Sequence, residues 1–186
     1  MNTIKYVAVL RGINVGGRRK IRMADLRKLF VEWGYDNVAT YIQSGNVVFE
    51  TMEMDSSAIA RQISEGIEQH YGFDVPTIVR TASEMEAIIK GNPFFEGTAN
   101  DFEVADIKPL HITFLQSLPT ADCIASLAAF DAGGDEYAIV GKAVFIYCNN
   151  GYGKTKLNNQ LLERKLKVQA TTRNWKTVLR LWAMLQ

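Results

Sequence analysis

The pattern of strands and helices predicts an α+β fold of two ferredoxin-like βαββαβ(α) halves related by internal duplication, with antiparallel sheets and helices on one face. Three observations lead to this prediction. Short segments rich in β-branched and aromatic residues alternate with segments of helical periodicity. The order βαββαβα occurs twice in 186 residues. A composition of 47% hydrophobic residues with only 4 prolines also excludes a disordered or fibrous chain.

The first strand, helix and hairpin are each marked by their own residues. Ile4–Leu10 is a short β-branched and aromatic run, typical of a mostly buried strand. Apolar residues recur at spacings of three and four over residues 23–33, which predicts a helix, and Gly34 supplies its left-handed cap. Two strands within residues 38–50 flank the turn Ser44-Gly45-Asn46, whose glycine tolerates the positive φ of a tight hairpin.

A helix, a strand and a short helix complete the first half. Ser56 and Ser57 are candidate N-caps for a helix whose isoleucines recur at helical spacing as far as Tyr71. Residues 75–80 are predicted as the fourth strand from their β-branched content. Ser83, with Glu86 three residues later, matches a capping box, so a short helix should follow.

The second half repeats this order after a segment without periodicity. We therefore predict a first half over residues 1–91, a linker over 92–108 and a second half over 109–186. The elements predicted in the second half are a strand at 110–115, a helix at 120–130, strands at 136–140 and 143–148, a helix at 157–166, a strand at 168–170 and a helix at 175–185.

Two loops differ in length between the halves, and both are rich in glycine and basic residues. Arg11–Arg22 spans twelve residues between strand and helix, whereas its counterpart Gln116–Pro119 spans four. The second half is longer after its third strand, in Asn149–Thr155. Each long loop leads into a helix N-terminus, where free N–H groups attract anions. With the first and third strands taken as parallel neighbours, we expect both loops at the same sheet edge.

The net charge of +1 conceals a strong polarity along the chain. Residues 1–28 hold eight Lys or Arg and one acid, and residues 142–186 hold nine and one. The middle, residues 29–141, holds four basic and eighteen acidic residues. The protein is therefore not basic as a whole, but two basic ends that met in space would form one positive surface.

The segment LRGINVGG, residues 10–17, places three glycines directly before a cluster of cations. Glycines allow the backbone to approach a ligand closely, and arginines pair bidentately with phosphate or carboxylate. The alternative interpretation is a flexible, solvated surface loop. The ligand-binding residues predicted here are Arg11, Gly12, Asn14, Gly16, Gly17, Arg18, Arg19 and Lys20.

The segment NNGYGKTKL, residues 149–157, contains Gly-Lys-Thr before a helix, as P-loops do. A P-loop also needs a glycine five residues before Gly153, where Cys148 stands, and a βαβ context in place of a hairpin. A weaker anion-binding element remains, in which Thr155 is expected to cap the helix. The ligand-binding residues predicted in it are Gly151, Gly153, Lys154, Thr155 and Lys156.

Two further motifs are candidates for the same ligand. TRNW, residues 172–175, would bring an arginine to a helix start, or would be a plain cap with Trp175 in the core. The hairpin tip YIQSGN, residues 41–46, offers polar side chains, although such residues usually serve only the turn. The ligand-binding residues predicted in these motifs are Gln43, Ser44, Asn46, Arg173 and Asn174.

The sequence offers little for catalysis, and no catalytic residue is predicted. His111 lies in a strand and is expected to be a satisfied core residue. Cys148 is a weak candidate for a thiol nucleophile, because no histidine is near it in sequence. No His/Cys cluster has the spacing of a metal site, so we predict no metal and no cofactor and leave open whether the protein is an enzyme.

The composition also favours a cytoplasmic protein. Two cysteines are too few for a disulfide framework, and no signal segment opens the sequence. The stretches without charged residues stop short of the roughly 18 apolar residues of a membrane span, so no membrane partner is expected.

The motifs LRGINVGG, YIQSGNVVF, GYGKTKL and TRNW together resemble the bacterial family known as domain of unknown function 1697. The resemblance runs over nearly the whole chain, and its motifs fall on the loops singled out above. It implies two ferredoxin-like halves and brings no activity, cofactor or catalytic residue with it.

Three functions are consistent with these observations. The leading one is binding of a phosphate-bearing ligand, either nucleic acid or a nucleotide, in a basic cleft built from the two glycine-rich loops. The first alternative is a small enzyme acting on a phosphorylated or carboxylated metabolite. The second is a structural protein that associates with itself through its acidic middle and basic ends, the oligomeric state being left open.

Overall fold

The computed structural model describes residues 3–95 and 107–186, and most of the predicted linker at 92–108 lies outside these ranges. The described residues form eight β-strands and six α-helices. In chain order these are β1 (Ile4–Leu10), α1 (Met23–Glu32), β2 (Asp36–Tyr41), β3 (Asn46–Thr51), α2 (Ser56–Tyr71), β4 (Thr77–Thr81), α3 (Ala82–Lys90), β5 (Leu110–Leu115), α4 (Ala121–Ala128), β6 (Glu136–Val140), β7 (Ala143–Tyr147), α5 (Asn159–Leu166), β8 (Ala170–Asn174) and α6 (Trp175–Met184).

The strands form two four-stranded sheets of the same topology. The first sheet has the order β2-β3-β1-β4 and the second the order β6-β7-β5-β8. Every neighbouring pair is antiparallel. The repeated order confirms the predicted fold class, two ferredoxin-like halves of an α+β protein. Among the described residues, none of the helices has the length and apolar character that a membrane crossing requires.

The chain divides into two compact units. The first comprises Met1–Glu86 with Leu181–Gln186, and the second comprises Ala87–Arg180. The divisions fall inside α3 and α6. Within the first unit, Lys5 Nζ donates to the backbone oxygen of Gln186 at 2.7 Å. The domain limits predicted from the sequence stay a prediction.

The core of the first unit lies between one face of its sheet and helices α1 and α2. Side chains alternate between the faces of a strand, and Tyr6, Ala8 and Leu10 of β1 face this core. Phe30 of α1 meets Phe49 of β3 edge to face, with ring centroids 5.4 Å apart. The helices complete the core with Met23, Leu26, Phe30, Ile59, Ala60, Ile63 and Ile67, which recur at the predicted helical spacing.

The core of the second unit is built in the same way. Leu115 of β5 and Val144 and Ile146 of β7 face helices α4 and α5. The helices contribute Leu127, Leu161, Leu162 and Leu166. In this second core the buried helix residues are all leucines, and the aromatic residues Phe130, Tyr137 and Tyr152 are only partly buried.

The capping box of α3 is formed by Thr81 and Glu84, and the prediction of Ser83 and Glu86 is wrong. Thr81 N donates to Glu84 Oε2 at 2.9 Å, and Glu84 N donates to Thr81 Oγ1 at 3.1 Å. Both pairs match the same sequence pattern. The helix begins at Ala82, directly after β4, because the strand extends to Thr81.

Two other caps also lie away from their predicted positions. Asp55 caps α2 in place of Ser56 or Ser57, and its side chain accepts from Ser57 N. Asn158 caps α5 in place of Thr155, since Asn158 Oδ1 accepts from Leu161 N at 3.0 Å. In both cases an Asx residue, whose side chain accepts well from the first free N–H groups, is available nearby.

Gly66 of α2 lies directly against the indole of Trp33. A Cβ built on Gly66 would lie 2.5 Å from Trp33 Cζ2. The same indole packs on Phe30, with ring centroids 5.4 Å apart. Close approach of the two helices, and not a special backbone angle, therefore requires glycine at this position.

We expect Gly66→Ala to lower the free energy of unfolding by about 1–3 kcal/mol, because the added methyl group overpacks the contact with Trp33. At an open helical position the same change would stabilise the protein by roughly 0.5–1 kcal/mol. Gly153→Ala is the matched control, because a Cβ there meets nothing within 4 Å and its φ is not positive. Urea unfolding measures both variants, and an unchanged or raised stability of Gly66→Ala would contradict this account.

Candidate functional site

The Arg11–Arg22 loop forms a small hairpin beyond the end of β1. Val15 and Arg18 form an isolated antiparallel bridge, with Arg18 N donating to Val15 O at 3.1 Å. Gly16 and Gly17 lie between them with φ of 58° and 74°. Both central residues of a type I′ turn need such left-handed angles. The turn itself therefore requires the two glycines.

Asn14 holds the base of this hairpin. Its backbone N donates to Arg19 O at 3.2 Å, and its side-chain Oδ1 accepts from Ile21 N at 2.9 Å. Its Nδ2 donates to Ile21 O and to Gln43 O, both at 2.9 Å. Its φ of 56° lies in the left-handed region, which asparagine tolerates better than most residues. The side chain of Asn14 is thus engaged within the protein.

The loop packs against the β2–β3 turn through Gly45. Leu10 N donates to Gly45 O at 2.8 Å. A Cβ on Gly45 would lie 2.7 Å from Ile13 Cδ1 and 2.8 Å from Leu10 Cβ, and its φ is 80°. Close approach and backbone angle both require glycine here. Residues 10–22 and 41–46 therefore form one packed substructure, the hairpin module.

The polar residues predicted at the tip of the β2–β3 turn have different environments. Asn46 is fully buried, and its Nδ2 donates to Tyr41 O and to Ser44 Oγ, both at 3.0 Å. Gln43 uses its backbone oxygen to accept from Asn14 and is exposed to solvent. Asn46 and Ser44 thus serve the turn, whereas Gln43 lies at the surface of the hairpin module.

Arg18, Arg19 and Lys20 are exposed on the hairpin module and are named here the cation cluster. Within the described part of the chain, no carboxylate oxygen lies within 4.0 Å of their charged nitrogens. Arg19 Nη1 lies 3.6 Å from the position that a Cβ on Gly12 would take, so the guanidinium lies over this glycine. Three adjacent cations repel one another, and a bound anion would relieve that repulsion.

The other two arginines of the loop are placed differently. Arg22 precedes α1, and its Nε lies 4.0 Å from Asp25 Oδ2. Arg11 is half-buried, and its backbone N donates to Pro76 O at 2.9 Å. Arg11 therefore differs from the cation cluster in its partial burial, and Arg22 differs in having a carboxylate nearby.

The second long loop, Asn149–Thr155, lies beside acidic residues. Lys156 Nζ is 2.8 Å from Asp131 Oδ2, and this contact holds the pKa of the Asp131 carboxyl below its ordinary value. The Asp135 carboxylate accepts from the first amide of the loop at 2.9 Å. Lys154 is exposed, and no carboxylate among the described residues lies within 4.0 Å of it. One of the two predicted cations of this loop therefore already has an acidic partner.

The glycines and Thr155 shape a short 3₁₀ turn, Tyr152–Lys154, inside this loop. Gly151 precedes the turn with a φ of 82°. Thr155 is buried, and its Oγ1 accepts from Leu157 N at 3.0 Å. Gly153 lies at an open position, since a Cβ built there meets nothing within 4 Å.

Tyr152, which the sequence did not single out, connects the two motifs of the second unit. Its ring stacks on His111 with centroids 4.6 Å apart, and burial raises the pKa of its hydroxyl, an effect that nearby Thr172 partly offsets. Thr172 Oγ1 lies 2.8 Å from Thr113 Oγ1 and donates to Asn159 Oδ1 at 3.2 Å. Strand alternation places His111 and Thr113 on one face of β5, and this is the sequence signal that could have pointed to this cluster.

TRNW ends a strand and begins α6. The strand predicted at 168–170 is observed at Ala170–Asn174. Asn174 Oδ1 accepts from Thr177 N at 2.8 Å, and Trp175 is fully buried. These are the contacts of the alternative interpretation, a helix cap with the tryptophan in the core.

Arg173 is buried, with 8% of its surface exposed. Its Nη1 donates to Thr171 Oγ1 and to Thr172 O, both at 2.9 Å. Burial lowers the pKa of Arg173 to about 10. The guanidinium is thus held within the protein and stays charged at neutral pH.

The environments of His111 and Cys148 do not favour catalysis. His111 Nδ1 is hydrogen-bonded to Pro109 O at 3.1 Å, as expected of a satisfied histidine, and burial lowers its pKa. Burial, with the nearby Asp135 carboxylate, raises the pKa of the Cys148 thiol to about 11. The thiol therefore stays protonated at neutral pH, whereas a nucleophile needs the thiolate. No group of three or more His, Cys, Asp or Glu among the described residues is placed to hold a metal ion.

The two long loops leave non-equivalent ends of their sheets. β1 pairs antiparallel with β3, so the first loop leaves beside the β2–β3 turn. The second loop follows β7, whose end lies beside the start of β5, where Cys148 N donates to Pro109 O at 2.9 Å. We expected both loops at the same sheet edge because we took the first and third strands as parallel. The strands are antiparallel, so this prediction is wrong.

We expect Asn14→Asp to destabilise the protein by about 1–3 kcal/mol at pH 7, because a carboxylate would face the two carbonyl oxygens to which the amide donated. Those carbonyls disfavour the charged form, so the folded-state pKa of the new carboxyl is raised and the loss should shrink as pH falls through it. Urea unfolding at pH 7 and pH 4 tests this, with the exposed Asn150→Asp as control. Equal stability of the two variants at pH 7 would contradict the role given to Asn14.

Comparison with known proteins agrees with the fold. Conserved bacterial protein SP0830 from Streptococcus pneumoniae has a similar structure, with a TM-score of 0.73, 24% sequence identity and coverage of 100% of each chain. At this identity the likeness shows the fold alone. No curated protein matches the chain. The family model described as "Protein of unknown function (DUF1697)" matches residues 3–145. The match spans well over half of the sequence, and the chain therefore belongs to the DUF1697 family of proteins of unknown function.

Proposed function

We propose that the hairpin module binds a phosphate-bearing ligand through Arg18, Arg19 and Lys20. The observation that carries this proposal is that three adjacent exposed cations have no carboxylate partner among the described residues. Surface cations are commonly offset by nearby acids, as Lys156 is by Asp131 at 2.8 Å in the second unit. Three unpaired cations side by side attract a multiply charged anion more strongly than a single carboxylate.

The internal bonds of the module support binding. Asn14 joins both sides of the hairpin to the β2–β3 turn, and Ile13 and Ile21 are buried at 1% and 2% exposure. The backbone beneath the cation cluster is therefore ordered before any ligand arrives. Pre-ordering lowers the entropy lost on binding, which otherwise reduces affinity.

The shape of the module favours nucleic acid over an enclosed nucleotide. The cations lie in the exposed part of the hairpin, residues 15–20, whereas small-molecule sites are concave and bury most of the ligand. An exposed cationic hairpin suits the backbone of a polyanion, whose binding releases counterions and depends strongly on salt. Gln43, exposed beside the cluster, would add a hydrogen bond to phosphate or sugar.

The loop of the second unit is proposed as a weaker anion-binding element. Lys154 is exposed without an acidic partner among the described residues, but Lys156 is paired with Asp131. A phosphate would have to compete with that carboxylate for Lys156. We therefore assign most of the binding to the first unit.

The enzyme alternative would use Arg11, Lys154 and Arg173 to hold an anionic metabolite, with a separate acid or base. The raised pKa of Cys148 and the hydrogen-bonded, stacked position of His111 do not support it. Binding is therefore the function we propose, with a metabolite-processing enzyme as the alternative.

We expect a fluorescein-labelled single-stranded RNA of about 20 nucleotides to bind at 50 mM salt and to lose affinity steeply by 200 mM. Each phosphate contact adds a slope of roughly 0.7 in log affinity against log salt. Arg18→Ala/Lys20→Ala should weaken binding at least about tenfold at low salt and reduce that slope. Fluorescence anisotropy measures both quantities.

Matched controls separate this cluster from general surface charge. Arg61→Ala/Arg164→Ala removes two exposed arginines on α2 and α5 and should leave affinity within about twofold. Lys154→Ala should have an intermediate effect. Absence of binding at 50 mM salt, or an equal loss in the α2/α5 control, would overturn the proposal.

A further inference from the structure

Strand β6 is an edge strand without the protection that its counterpart β2 has. β6 pairs with β7 in continuous register over five residues, from Glu136 opposite Tyr147 to Val140 opposite Ala143. In the described chain, its other side has no strand partner. The strand contains no proline, no bulge and no Lys or Arg, which are the features that usually protect an edge.

The equivalent edge of the first unit is irregular. The register of β2 against β3 shifts between Asp36 and Ala39, and Asn37 has a φ of 49°. Bulges and left-handed residues bend an edge and prevent another strand from pairing with it. Since the two units share one topology, the contrast shows that β6 is the more regular of these two equivalent edges and the better suited to pairing.

The hairpin geometry determines which backbone groups β6 presents. In a two-residue hairpin the residues that flank the turn form a hydrogen-bonded pair, here Val140 and Ala143. Alternation then directs the N–H and C=O groups of Ala138 and Glu136 toward β7. Those of Tyr137 and Ile139 point to the open edge, and no hydrogen bond from another described residue reaches them. This edge therefore offers two donors and two acceptors.

The charges along β6 are complementary to a reversed copy of the same strand. Asp135 and Glu136 lie at its start, and Lys142 follows its end, with Gly141 between strand and lysine. Glu136 and Lys142 are exposed, and Val140 is 52% exposed. When two such strands pair antiparallel, the acidic start of each lies beside the basic end of the other.

We propose that β6 of a second copy of this chain pairs antiparallel with β6, so that the second sheets of the two copies join into one sheet of eight strands. A two-fold axis at Ala138 places Tyr137 opposite the partner's Ile139 and the reverse, so the outward groups form four backbone hydrogen bonds. Glu136 then lies diagonally opposite the partner's Lys142 on both sides of the axis. This proposal does not depend on the proposed anion binding, since no residue of the hairpin module takes part.

The test is the oligomeric state of the full chain, measured by sedimentation velocity from about 1 to 500 μM. The wild type should show a reversible monomer–dimer equilibrium. Glu136→Lys would place lysines together across the axis and should raise the dimer dissociation constant at least about tenfold. Glu136→Lys/Lys142→Glu exchanges the charges and should restore the constant to within about threefold of the wild type.

Two further variants distinguish β6 from other surfaces. Ile139→Pro removes an outward donor without removing a bond to β7, and it should abolish the dimer while circular dichroism reports an intact fold. Arg18→Ala/Lys20→Ala should leave the equilibrium unchanged. A wild type that stays monomeric over the whole range overturns the proposal. So does a dimer that is insensitive to Glu136→Lys, or one that the charge exchange fails to restore.

Discussion

The side chain of Asn14 is the constraint on which the first unit's surface depends. Three of its hydrogen bonds, all at 2.9 Å, join the two sides of a loop hairpin to each other and to the β2–β3 turn. Gly45 makes that junction close enough, because any Cβ there would overlap Ile13 and Leu10. Substitution of either residue would weaken this junction and, with it, the order of the backbone beneath the cations.

This constraint explains why two similar basic loops differ in what they offer a ligand. In the first unit the internal bonds use backbone and amide groups, so Arg18, Arg19 and Lys20 need no acidic partner to be positioned. In the second unit a carboxylate holds Lys156 in place and offsets its charge. The polarity seen in the sequence therefore leads to an accessible cation cluster in one unit and to a partly neutralised loop in the other.

Much of the fold could be predicted because it depends on local patterns. β1, β5 and β6 have their predicted limits, since each is a short run rich in β-branched and aromatic residues with turn residues beside it. The capping box of α3 could not be chosen from the sequence, because Thr81 with Glu84 and Ser83 with Glu86 both match the capping-box pattern. Which pair forms the box depends on where β4 ends in the folded protein. The Tyr152–His111 and Lys156–Asp131 contacts join residues far apart in sequence, and no short motif encodes them. The prediction that both long loops leave the same edge of the sheet was wrong, because it took the first and third strands as parallel. The predicted order of strands and helices was correct.

The central claim is that the hairpin module presents a cation cluster that binds phosphate. Its most direct test is an NMR titration of the ¹⁵N-labelled protein with a short single-stranded RNA. The account predicts salt-sensitive shifts concentrated at the amides of residues 15–21, smaller shifts around Lys154 and little change around the paired Lys156. Shifts confined to surfaces away from residues 15–21, with the hairpin amides unmoved at saturating RNA, would contradict it.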